Sequence, residues 1–437
     1  MEDLLKNARS LAAEYDMLPA GSKVLCAVSG GADSMCLLHW LSRREDISLV
    51  AAHFDHQLRG AESDRDESFV RNFCAQHEIP LTVGRGDVRT FAQREKLSIE
   101  EAARTLRYTF LFRAAEEEGC QRIATAHNAG DNAETLLLHL LRGSGLQGLT
   151  GIAPRLRNVV RPLLATSRQE IEEYLSVYHI PHMEDSTNSD ETYTRNRVRR
   201  QLIPLLEEMN SGFVRRMTDT IPRLRADNDC LNAMARRIFH QAKRQGDALV
   251  IPLAAIRQAP GPVASRAVRL LLAEAAGGDW DCSATHIESV LRLCESGDPS
   301  ARTSLPRQLT ALREYDTLIL THDPDPEPLE EFFPVQGENP IPGTAWVLVL
   351  DAPPWPGLVV RPRRTGDTVT LPDRPRKTVK ELFIEEKVPR RFREQVPLAA
   401  DGEGVLALAV FGENTSHPRH GLVRFILREK EERQNGL

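Results

Sequence analysis

The chain has 437 residues, a formal net charge of −6, 41% hydrophobic and 27% charged residues. At about 150 residues per domain that length predicts two or three domains, in an ordinary globular composition. No apolar run approaches the roughly 20 residues that cross a bilayer, and the seven cysteines are scattered with no C-x-x-C pair, which argues against a disulfide framework or a structural zinc site and for reduced thiols in a cytoplasmic protein.

Residues 1–20 read as one acidic, amphipathic helix closed by Pro19 and Gly21, which is not the pattern of a signal peptide. Residues 24–28 are apolar and read as a buried strand. Ser29, Gly30, Gly31, Ala32, Asp33 and Ser34 follow, and then an apolar run with helical spacing. Strand, glycine turn and helix N-terminus leave free backbone N–H groups at the positive end of a helix dipole, which suits phosphate. The two serines can offer hydroxyls to phosphate oxygens. A plain capped turn explains the glycines equally well. The string is neither a Walker loop, since no Gly-Lys-Ser/Thr follows, nor a G-x-G-x-x-G fingerprint. SGGADS resembles the pyrophosphate loop of the ATP pyrophosphatases, which cleave ATP to AMP and pyrophosphate.

Residues 47–54 read as a second buried strand, ending at Asp55 and His56, where open α/β sheets place ligands. Helix 63–77 and strand 81–85 come next. Ser98 starts a helix with Glu101 three residues on, a capping box, and Gly119 ends it. Arg104, Arg107 and Tyr108 share one face of it; they form either a solvated stripe or a set of phosphate and base contacts. Strand 122–126 delivers His127, Asp131 and Glu134 ahead of an apolar helix. Asp131 as N-cap with Glu134 at N3 is what a helix start wants for itself. Two carboxylates one turn apart can also share a Mg²⁺ bridging phosphates. His127 alone reads as a hydrogen-bonded residue at a strand end. Alternating strands and helices predict a parallel sheet covered on both faces.

A glycine-rich loop occupies 142–149, a helix 167–178 and a polar loop 184–188. Arg195, Arg197 and Arg199 open another helix at spacings that cannot share one face, so some point inward. From 211 to 302 the pattern stays helical, and 321–334, with four prolines, reads as a linker. Short β-like runs and a helix at 377–387 then make a small α+β domain, followed by a charged tail. The expected domains are 1–210, 211–322 and 335–430. Two basic stretches stand out: residues 195–225 carry eight Arg against three acids, and 361–394 carry eleven Lys and Arg against six acids, each net +5. Such patches bind phosphate backbones or are solvated faces.

SGGADS, AHFDHQLRG, SIEEAARTLRY, AHNAGDNAET, RGSGLQGLTGI, RPLL, EDSTN and RNRVRRQLIPLL occur in that order. The series resembles tRNA(Ile)-lysidine synthetase over residues 20–210, and VRPRRTGDTVTLP with KTVKELFIEEKVPRR resembles the last domain of that family. The resemblance implies a Rossmann-like ATP pyrophosphatase domain, a helical domain and a small α+β domain. It also implies the chemistry: ATP adenylates C2 of the wobble cytidine of an isoleucine tRNA with a CAU anticodon, and free L-lysine displaces AMP. By the same resemblance Ser29 to Ser34 would bind the ATP phosphates. Asp131 and Glu134 would hold Mg²⁺ or orient the lysine amine, and His127 and Arg107 would stabilise the reacting phosphate or base. Asp55, His56, Arg104, Arg195, Arg197 and Arg199 would contact substrate, and the C-terminal parts would grip the tRNA. No membrane partner is expected; a homodimer is. One departure stands out: the family has two adjacent aspartates and a Gln where this chain has Gly130, Asp131 and Asn132. The competing readings are another pyrophosphate-loop tRNA-modifying enzyme, such as a thiolation enzyme, whose relatives use paired cysteines, and a tRNA-binding protein that holds nucleotide without turnover.

Overall fold

The computed structural model describes residues 4–58, 60–183, 194–278, 280 and 282–428. The polar loop expected at 184–188, Arg59 of the AHFDHQLRG motif, the first three residues and the tail beyond 428 lie outside the described residues. Contacts divide the chain into two units, Met1–Asp229 and Cys230–Leu437.

The first unit alternates strand and helix: α1 Lys6–Glu14, β1 Lys23–Ala27, α2 Ala32–Ser42, β2 Ser48–Asp55, α3 Ala61–Gln76, β3 Leu81–Arg85, α4 Val88–Glu95, α5 Ile99–Glu117, β4 Arg122–Ala124 and α6 Ala129–Leu141. Then come α7 Leu146–Leu149, β5 Arg155–Leu156, β6 Val159–Val160, a 3₁₀ turn Pro162–Ala165, α8 Arg168–Val177 and α9 Thr194–Arg197. A π-helical turn Val198–Leu202 runs into α10 Ile203–Met209, and α11 spans Phe213–Phe239. The sheet order is β3-β2-β1-β4-β6-β5. All pairings are parallel except β5 with β6.

The apolar run of β1 reflects burial on both faces. Val24 and Cys26 pack with Met35, Leu38 and Ile171 on one side. Leu25 packs with Phe110, Leu111 and Ala114 of α5 on the other. Chain order runs outward from β1 through β2 to β3, then restarts at β4 on the other side of β1. The β1/β4 crevice is therefore the switch point where doubly wound sheets take ligands.

The second unit holds the expected helices, Gly261–Ala275 and Ala284–Glu295 among them, and also a five-stranded antiparallel sheet that the helical pattern did not foreshadow. Its strands are Lys243–Gln245, Ala248–Pro252, Arg302–Ser304, Thr310–Glu314 and Thr317–Thr321. Val268, Leu271 and Val290 from the helices share a core with Ile251, Ala311 and Leu318 from the strands. Strands of three to five residues are too short to impose a period of their own on a helical neighbourhood. Further on, Trp346–Leu350 pairs with Gly337–Pro340 and Val423–Leu427. A four-stranded sheet forms beside the helix Val379–Glu385, which Thr378 and Glu381 start with a capping box.

Candidate active site

A cleft of about 1050 Å³ opens at the carboxyl ends of β1, β2 and β4. Of the residues singled out in the sequence, Ser29, Gly31, Asp33, Ser34, Asp55, His56, Arg104, Arg107, His127, Asp131 and Arg195 line it. Gly30, Ala32, Glu134, Arg197 and Arg199 do not.

The glycine loop is built by its own hydroxyls. Ser34 Oγ donates to the Gly31 carbonyl at 2.9 Å and accepts from Ser29 N at 3.1 Å. The Ser34 proton is thereby committed within the loop, while Ser29 is exposed at its lip. Gly30 takes φ +91°, which a side chain rarely adopts, and its carbonyl accepts from Met183 N at 2.9 Å. Asp33 pairs with Arg168 of α8 at 3.0 Å. Burial, opposed by Arg168, leaves its carboxyl above the usual range.

Asp55 is 7% exposed and accepts from Gln57 N at 2.8 Å. On α5, Arg104 and Arg107 lie over the Tyr108 ring at 4.9 and 5.6 Å. Neither has a carboxylate partner among the described residues, and burial pulls the Arg107 guanidinium below its ordinary pKa. His127 Nδ1 meets Thr125 Oγ1 at 3.0 Å. Burial, with Arg161, Arg107 and Arg104 nearby, drives its pKa down to about 3 against the pull of Asp131, so the ring is neutral near pH 7.

The start of α6 corrects one expectation. Asn128, not Asp131, is the N-cap; Asp131 is N3, and the two form a reciprocal capping box. Asp131 Oδ2 accepts from Asn128 N at 3.1 Å and Oδ1 from Arg199 Nη2 at 2.7 Å. Glu134, one turn on and 2% exposed, accepts from Arg195 Nε at 3.2 Å and from Arg199 Nε and Nη2. Arg195 and Arg199, four residues apart, both reach Glu134 from one face of their helix while remaining partly open to water, and Arg197 between them is exposed.

All four oxygens of Asp131 and Glu134 are thus engaged, and two guanidinium groups balance the two carboxylates. This donor set does not fit a resident divalent ion, and no group of three His, Cys, Asp or Glu side chains among the described residues is placed to hold one. Asn132 serves the fold rather than the ligand, since its Oδ1 accepts from Ile152 N at 2.8 Å. At Gly130 an added Cβ would sit 3.1 Å from the Asn128 cap oxygen, so the small residue suits an Asn cap. Arg161 and Asn128 fall inside the RPLL and AHNAGDNAET stretches, but no motif assigns a role to either or to Thr125; the capping signal three residues before Asp131 is the legible trace of Asn128.

A model of the PP-loop domain matches residues 4–206, and a model of the TilS substrate C-terminal domain matches residues 358–417. The chain is 34% identical over 437 residues to the tRNA(Ile)-lysidine synthase of Geobacter sulfurreducens, covering 93% of this chain and 92% of that one. With the tRNA(Ile)-lysidine synthase of Geobacillus kaustophilus it shares 32% over 432 residues, covering 92% and 93%. Among solved structures, the U34-tRNA thiolase NcsA of Methanococcus maripaludis aligns at 18% identity and a TM-score of 0.43, over 50% of this chain and 77% of that one. On these matches, which span more than nine-tenths of each chain, the chain belongs to the tRNA(Ile)-lysidine synthase family.

Proposed function

We propose that this protein ligates free L-lysine to C2 of the wobble cytidine in an isoleucine tRNA with a CAU anticodon. ATP supplies the drive. The C2 oxygen attacks the α-phosphorus and pyrophosphate leaves; the lysine ε-amine then attacks C2, loses a proton, and AMP departs with the oxygen. Adenylation turns a poor leaving oxygen into a good one, and the protein contributes by holding three substrates in one place. The observation that supports this reading most is the cleft itself: the glycine loop, Arg104 and Arg107 of α5, and Asp131 meet at the switch point of one sheet.

In this reading Ser29 and the backbone of residues 30–34 bind the ATP phosphates. Magnesium enters as part of the substrate, Mg·ATP, where it neutralises phosphate charge. Arg107 and Arg104 stabilise charge on the transferring phosphate. His127, with a pKa of about 3, is too weak a base to take the proton from the amine and serves as a neutral hydrogen-bonding group. Asp55 and His56 contact nucleoside. Asp131 and Glu134 receive the lysine ammonium, which must compete there with Arg195 and Arg199. Arg197, exposed, faces the anticodon stem. Residues 211–322 and 335–430 act as tRNA-gripping modules, and the protein works in the cytoplasm as a homodimer.

The test is incorporation of labelled lysine into purified isoleucine tRNA with ATP and Mg²⁺. Label appearing in the CAU-anticodon tRNA with stoichiometric AMP release is expected. Absence of transfer, with ATP bound, leaves a nucleotide-holding tRNA-binding protein as the correct description.

A further inference from the structure

Arg161 follows β6 directly and lines the cleft, yet it is only 4% exposed. Its Nη1 donates to the Ala153 carbonyl at 2.7 Å. Its Nε is buried without a partner, and no carboxylate among the described residues pairs with it. Taking a guanidinium out of water without a counter-charge is strongly unfavourable. Arg104 and Arg107 face the same cleft, also without carboxylate partners. Three guanidinium groups on one cavity, none of them in an ion pair among the described residues, suit a polyanion.

We propose that Arg161 binds the phosphate chain of ATP, completing from β6 the site that Ser29 to Ser34 begin from β1. The inference rests on the function proposed above and adds a phosphate ligand to its active site. β6 lies two places from β1 in the sheet, about 10 Å at normal strand spacing, so a polyphosphate on the loop comes within range of a long side chain. Free nucleotide is favoured over RNA as the source because a residue so deeply set meets only a group that enters the cleft. A guanidinium forks onto phosphate oxygens with two donors, a geometry that lysine lacks.

The full-length protein and its Arg161→Gln and Arg161→Lys variants are titrated with ATP and with inorganic pyrophosphate in the absence of tRNA, and separately with tRNA by filter binding. Arg161→Gln is expected to weaken both ATP and pyrophosphate by about tenfold or more, the loss of one charged hydrogen-bonding group, with Arg161→Lys intermediate and tRNA affinity unchanged within about twofold. ATP and pyrophosphate affinities equal to the parent would overturn the proposal. So would a loss confined to tRNA, which assigns the arginine to RNA. If Arg161→Gln does not fold, Arg161→Lys decides: a loss of about threefold or more upholds the proposal and parental affinity ends it. Lysine incorporation by the parent is scored separately. A parent that binds ATP through Arg161 but transfers no lysine removes the proposed function and leaves this contact standing.

Discussion

Glu134 is 2% exposed, and both its oxygens are taken by Arg195 and Arg199, which are 35% and 45% exposed. The arginines can turn to water if the glutamate is lost; the glutamate has no such exit if they are. Arg195→Ala or Arg199→Ala alone is therefore expected to cost about 1 kcal/mol, since one counter-charge remains. The double variant should cost about 3–5 kcal/mol, as for an uncompensated buried charge. Urea unfolding of the four proteins checks this, and strict additivity contradicts it. His127 gives a pH signature. Its pKa is about 3 folded and about 6.5 unfolded. Between those values the unfolded chain binds the extra proton, so stability falls as pH falls below 6.5 and is unaffected above it. His127→Gln should remove about 1–2 kcal/mol of the parent's stability loss between pH 6.5 and 5, read from denaturant midpoints at each pH.

The first turn of α6 shows what an element's surroundings decide. Asn128 and Asp131 are both good N-caps, and local preference does not choose between them. The choice falls to Asn128 because β4 ends at Ala124 and Ala129 N bonds to the Thr166 carbonyl, which starts the helix early. That shift by one turn puts Asp131 at the cleft wall and sinks Glu134 below it. The loop behind is fixed just as closely. Gly151 has φ +62°, and a Cβ there would stand 2.2 Å from Asn132 Oδ1, the atom that accepts from Ile152 N. Arg225 Nη2 holds the same loop through the carbonyls of Thr150 and Ile152. Gly151→Ala is expected to cost about 2–3 kcal/mol, combining left-handed strain with a lost buried hydrogen bond. It should also weaken ATP binding, because Ile152 and Arg161 line the cleft beside it. A melting temperature and ATP affinity at parental values would show the loop to be slack.

Across the chain, the basic stretch at 361–394 is less free than its +5 suggests. Six of its cations are in ion pairs, among them Arg361 with Asp367, Arg364 with Glu331, and Arg391 with Glu314. Arg361 and Asp367 are both nearly buried, so that pair is part of the core of its module. tRNA affinity should fall with salt, with a slope set by the unpaired cations. Lys380→Gln and Arg390→Gln should each reduce that slope by about one unit, whereas Arg361→Gln should lower the melting temperature instead. A slope indifferent to Lys380 and Arg390 would assign the grip on RNA elsewhere.

The strand–loop–helix of residues 23–42, the capping box at Ser98, the alternation of strands and helices and the order of motifs to Leu206 were readable from the chain alone. Each rests on local chemistry: apolar periodicity, glycine dihedrals, side-chain caps. The pairing of Glu134 with Arg195 and Arg199, the neutrality of His127, the sheet within the helical stretch and the isolation of Arg161 came only with the fold. Burial and counter-charge are properties of neighbours brought together across some 30 to 65 residues, and no local pattern records which charge will find a partner.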